Sequence, residues 1–115
     1  MADDPRIKNE VRKIVQWLVE CDYDAIVNYT NGHRLPAKEI RFAIEDYGRK
    51  LVMVPENQFE NLDVIEVTKA CPREWSVRCP LWTLEEGRSD LTLEMSIIDT
   101  SQEELRTEID NVIIL

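Results

Sequence analysis

The sequence predicts an α+β fold, with N-terminal helices packed on a curved, mainly antiparallel sheet of four or five strands. Two observations carry this. Apolar residues recur at helical spacing as far as Gly48, and from residue 61 onward they recur with a period of two. A helical block followed by a strand block places the amphipathic helices over the apolar face of a sheet. At 115 residues the chain suits one core, because a domain of this size buries roughly two-thirds of its unfolded surface. One domain is expected over residues 1–115, with a helical half at about 4–48 and a sheet half at about 50–115.

The first helix rests on Ile7, Val11, Ile14, Val15 and Leu18, which fall on one helical face. Asp4 is the expected N-cap, and Pro5 suits the first helical position, where its missing N–H costs nothing. Trp17 lies off the stripe, so it either widens the buried face or meets a later element. A shorter helix is expected from Tyr23 to Tyr29, stopping at Asn31-Gly32. The third is expected from Pro36, with Ile40, Ala43, Ile44 and Tyr47 inward and Gly48 ending it.

"KLVMVP" then reads as a short strand or crossing segment stopped by Pro55, and "ENQFEN" as a loop by composition. "LDVIEVTK" reads as a strand. Trp75, Val77, Cys79 and Leu81 alternate with polar positions, as do Leu91, Leu93, Met95 and Ile97, giving two half-buried strands. "RTEIDNVIIL" is the last strand, and its apolar end predicts a central or well-covered place in the sheet. The succession of strands predicts an antiparallel meander.

Between the two alternating strands lies "LWTLEEGRSDL", residues 81–91. Gly87 can supply the positive φ of a reversal, and Glu85, Glu86, Arg88 and Asp90 would surround a solvated tip. Trp82 and Leu84 beside those charges make the composition that of a contact patch as well as a turn. Trp82, Glu85, Glu86, Arg88 and Asp90 are therefore the candidate partner-binding residues.

The stretch from Trp75 to Ile97, followed by "EIDNVIIL", resembles a small, functionally uncharacterised family of bacterial domains with a Trp-Thr-x-Glu-Glu-Gly-Arg-Ser-Asp-Leu core. The resemblance covers about a third of the chain well. The order of helices and sheet is also similar, in architecture alone, to the cone-shaped nuclear transport factor 2-like fold, which hosts ligand-binding proteins, small enzymes and interaction modules. The first resemblance implies a bacterial cytoplasmic protein and directs attention to Trp82, Glu85, Glu86, Gly87, Arg88 and Asp90; it implies no activity.

The net charge of −9 is unevenly placed. Residues 1–54 are balanced, and the whole excess lies in residues 55–115. A field of this sign repels nucleic-acid phosphate and anionic lipid and would steer a basic protein partner. The N-terminus is charged from its third residue and shows no secretory pattern, and no apolar run approaches a membrane span. Cys21, Cys71 and Cys79 have no paired spacing, so reduced cytoplasmic thiols are expected, and no metal or cofactor.

Enzyme signatures are weak. His33 is the single histidine, in the "TNGHRLP" loop, and a usable base needs a partner within hydrogen-bond reach. Glu85 and Glu86 are adjacent and diverge on an extended segment, so they make a poor acid–base pair. No phosphate loop, dinucleotide fingerprint or nucleophile elbow is present. The leading expectation is a non-catalytic protein-binding module, of the immunity or antitoxin kind, that neutralises a basic partner such as a toxin domain. One alternative is a nuclear transport factor 2-like binding protein or small enzyme with a pocket lined by Trp17, Tyr23, Tyr47 and Trp75. Another is an oligomeric interaction domain formed through an exposed sheet edge such as "NVIIL".

Overall fold

The computed structural model describes residues 5–30, 35–100 and 105–114. Asp4 and His33, the expected cap and the single histidine, lie outside them. Three helices come first: α1 (Pro5–Val19), α2 (Tyr23–Thr30) and α3 (Ala37–Tyr47). After them come β1 (Leu51–Val52), a helical turn α4 (Glu56–Phe59), β2 (Asp63–Glu66), β3 (Glu74–Thr83), β4 (Gly87–Asp99) and β5 (Leu105–Ile114). The layout is α+β, and every strand pairing is antiparallel.

The helix boundaries follow local chemistry. Pro5 opens α1, and the stripe of Ile7, Val11, Ile14, Val15 and Leu18 is buried. Cys21 adopts φ 59° at the α1–α2 turn, and Asp22 caps α2 by accepting the Ala25 N–H at 3.2 Å. Pro36 stands one residue outside α3, as its N-cap, in extended conformation. Gly48 ends that helix at φ 74°, a conformation that costs a residue with a Cβ roughly 1–2 kcal/mol.

The strands are ordered β1-β3-β4-β5, and β2 also pairs with β3. β1 meets Trp82 and Thr83 while β2 meets Trp75 to Arg78, so the two short strands lie end to end along one edge of β3. Between them, residues 79–81 of that edge have no strand partner. The inward residues of β3, Val77, Cys79 and Leu81, join Leu91, Leu93, Met95, Ile97, Ile109 and Val112 in one core with the helical stripe. Trp17 widens that core, meeting Tyr29 edge-to-face at 5.4 Å.

Two expectations need correction. "ENQFEN" is not a plain loop, because its first four residues form α4. Tertiary contacts outweigh its polar composition: Phe59 is buried, and Arg12 both sits 5.3 Å over its ring and pairs with Glu56. Nor is the last strand central. β5 is an edge and Ile114 is 63% exposed, while β4 lies between two long neighbours and is covered on both faces at Thr92 and Ser96. An apolar run cannot distinguish a central strand from an edge strand whose inner face alone is covered.

The uneven charge along the chain is partly redistributed by folding. Arg6, Lys8 and Arg12 of α1 pair with Asp99, Glu60 and Glu56 of the acidic half. Separation in sequence is thus not separation in space.

Candidate functional site

The β3–β4 hairpin is built by its own side chains. Thr83 pairs with Gly87 across a three-residue tip, and Gly87 takes φ 74°. The Thr83 hydroxyl accepts the Glu86 N–H at 3.0 Å and donates to the Glu86 carboxylate at 3.1 Å. The Tyr47 hydroxyl, at the end of α3, donates to the same carboxylate, its oxygen 2.8 and 3.0 Å from the two acceptors. Desolvation, and then the Glu86 carboxylate, hold the Tyr47 phenol above its usual range. Glu85 accepts the Lys50 N–H at 3.1 Å, and Leu84 N–H donates to Lys50 C=O at 2.9 Å. The two glutamates therefore clasp the tip to the α3–β1 connection.

Ser89 has a second structural task. The ladder shifts register between Pro80 and Trp82, and this leaves Leu81 out of the strand pairing. The Ser89 hydroxyl donates to Leu81 C=O at 2.7 Å and accepts Leu91 N–H at 3.2 Å, joining the two strands across the bulge.

Trp82, Arg88 and Asp90 remain. Trp82 and Arg88 are opposite each other in the ladder, Asp90 is two residues along, and all three face outward. They line one open cleft of about 490 Å³. Arg78 and Thr92 line it from β3 and β4, Asp63 from the start of β2, and Asn61 from the turn before β2. The cleft lies where β3 lacks a strand partner, between β1 and β2. Trp82 is half-buried, and its ring passes 3.7 Å from the point where a Cβ on Gly87 would stand. Arg78 is held by Glu94 at 2.9 Å, whereas the Arg88 and Asp90 side chains have no ion-pair partner among the described residues.

A family model described as Domain of unknown function (DUF7668) matches residues 15–115. The chain belongs to that family. The matched stretch includes the whole hairpin and cleft, and it begins inside α1. No curated protein and no solved structure matches the chain.

Of the five candidate partner-binding residues, the fold gathers Trp82, Arg88 and Asp90 and turns Glu85 and Glu86 to structural work. The four aromatic pocket candidates have different surroundings among the described residues. Trp75 is in the core, Trp17 packs on Tyr29, Tyr47 holds Glu86, and Tyr23 lines a separate cavity with Cys21, Lys38 and Arg41. Arg78, Asn61 and Asp63 were not anticipated at the site. The outward parity shared by Arg78, Pro80 and Trp82 could have found the first; the other two depend on the course of α4. Cys79 also lines the cleft, but burial pushes its thiol up to about 12. Among the described residues no three His, Cys, Asp or Glu side chains gather to hold a metal, and no helix is long and apolar enough to cross a membrane.

Proposed function

We propose that this protein is a non-catalytic binding module that docks a basic protein partner, of the toxin-domain kind, through the outward side of the β3–β4 hairpin. One observation carries the reading: of the five candidate residues, the three without an internal task converge on the same cleft, and they are an indole, a guanidinium and a carboxylate. Trp82 would supply rigid apolar contact area, and Arg88 and Asp90 would fix register through charge-assisted hydrogen bonds. The net charge of −9 would steer a cationic partner toward the module and speed association. Such neutralisation would take place in the cytoplasm, with Cys21, Cys71 and Cys79 as free thiols.

The test is to titrate the purified product of the neighbouring gene, where that product is basic, at low and high salt. A one-to-one complex should form, associate more slowly as salt rises, and weaken at least tenfold with Trp82→Ala or Arg88→Ala. Wild-type affinity in both variants would remove the cleft from the interface.

Self-association is a second reading, favoured by one region. β5 is a sheet edge, and Ile114 and Phe42 are 63% and 69% exposed. Sedimentation at several concentrations separates the two readings, because a strictly monomeric protein leaves only the first.

A further inference from the structure

On the helical side, away from the hairpin, a second cavity of about 540 Å³ opens between α1, α2 and the start of β5. Its wall contains the only carboxylate of α1 that is buried among the described residues. Glu10 Oε1 accepts the Tyr29 hydroxyl at 2.5 Å and the Thr107 hydroxyl at 2.6 Å. Glu10 Oε2 accepts Lys13 at 3.4 Å, and Lys13 also donates to the Tyr29 oxygen at 3.0 Å. The network ties α1 to α2 and β5, and it leaves Glu10 facing three donors.

The polar groups left over are unequal in kind. An ammonium has three N–H donors, so Lys13 keeps one after serving Glu10 and Tyr29. Asn9 has committed its carbonyl oxygen to Arg12 at 2.8 Å, which leaves its amide N–H groups. Arg106 gives one arm to Glu108 at 2.7 Å and has further N–H donors. All three residues line the cavity, beside Arg6 and the apolar side chain of Leu105. Lys13 also lies 4.3 Å from the centre of the Tyr29 ring. Its hydrogen bond to Tyr29, opposed by desolvation, raises its pKa above the usual lysine range, so it stays charged.

From this imbalance we infer that the α1–β5 cavity is a binding site for a small oxyanion, carboxylate or phosphate, held by Lys13, Asn9 and Arg106. The side-chain donors of the wall outnumber its acceptors, and the one lining carboxylate is engaged by Tyr29, Thr107 and Lys13. A ligand rich in acceptors completes such a wall; a cation or a neutral donor does not. Leu105 offers an apolar surface to a short acyl tail, which a carboxylate could use and inorganic phosphate could not. The inference is independent of the hairpin cleft, which none of these residues lines.

The experiment is a titration of the isotopically labelled whole chain with inorganic phosphate and, separately, with butyrate, followed by amide chemical shifts. Saturable shifts at Asn9, Lys13, Leu105 and Arg106 are expected with at least one of the two. Tighter butyrate binding would assign the carboxylate with its tail, and tighter phosphate binding the bare oxyanion. Lys13→Met and Arg106→Gln, both at partly exposed side chains, should each weaken binding at least tenfold, while Arg88→Ala leaves it unchanged. Shifts that grow linearly with both anions, or binding that survives both cavity variants, would overturn the assignment.

Discussion

The two sides of one hairpin differ in what their polar residues do. On the side toward the helices, Thr83, Glu85, Glu86 and Ser89 have partners that close the tip, anchor it to α3 and span the bulge. On the outward side, Arg88 and Asp90 are exposed beside Trp82, and folding gives their charges no partner among the described residues. Ten consecutive residues of similar composition thus include two populations, and only the pattern of hydrogen bonds separates them. An unusual stretch need not be functional throughout; the part left over after the fold is satisfied is the better candidate.

The contrast can be sharpened by several measurements, taken from the largest effect downward. Thiol labelling should show the greatest difference. Cys21 and Cys71 are exposed, while Cys79 is 1% exposed on the floor of the cleft with its thiol pushed up to about 12. At pH 8 the Cys79 thiolate fraction is then about one in ten thousand, and its labelling in the native protein should be at least ~100-fold slower than that of the other two. Three equal rates would mean that the cleft opens into the core. Next, Leu93→Ala, at a fully buried position of β4, should cost about 2–5 kcal/mol in urea unfolding.

A smaller loss is expected where a hydrogen bond is removed and the backbone stays in place. Ser89→Ala leaves Leu81 C=O without its hydroxyl partner and should cost about 1–3 kcal/mol. Gly87→Ala should cost about 1–2 kcal/mol from φ 74° alone, because the added Cβ would meet Trp82 at an ordinary 3.7 Å.

The pH effect is smaller again. Arg12 holds Glu56 below its usual pKa, and Arg73 does the same for Glu66; both carboxylates are on the surface. A carboxylate depressed in the folded state contributes its stability above the ordinary value of 4.5 and loses it as pH falls through the lowered one. The urea midpoint should therefore decline modestly as pH is lowered past that value, and less so in high salt. A midpoint that rises on acidification would contradict both pairings.

The fold was legible in the sequence wherever one face of an element is buried. The stripe from Ile7 to Leu18 and the alternation from Trp75 to Leu81 announce their inner faces, because burial imposes the period of the backbone on the side chains. The strand order was less legible. The apolar end of β5 suggested a central or well-covered place, but an edge strand packed on one face can carry the same residues, and only pairing distinguishes them. α4 was hidden because Arg12 and Phe59, 47 positions apart, stabilise a turn whose own composition is that of a loop. At the candidate site, the sequence drew attention to the stretch without dividing it. Glu85 and Arg88 are alike in polarity and exposure, and the Lys50 N–H that claims the first lies 35 positions away. The Glu10 network was invisible for the same reason, since Thr107 lies 97 positions from its acceptor.

The central claim, that one side of the hairpin holds the fold while the other is free to bind, can be tested without a partner. Urea unfolding of Thr83→Ala and Ser89→Ala should show losses of about 1–3 kcal/mol each, with Arg88→Ala and Asp90→Ala within about 0.5 kcal/mol of the parent protein. If Arg88→Ala and Asp90→Ala prove as destabilising as the first two, those residues serve the fold, and the cleft loses its claim to be a binding site.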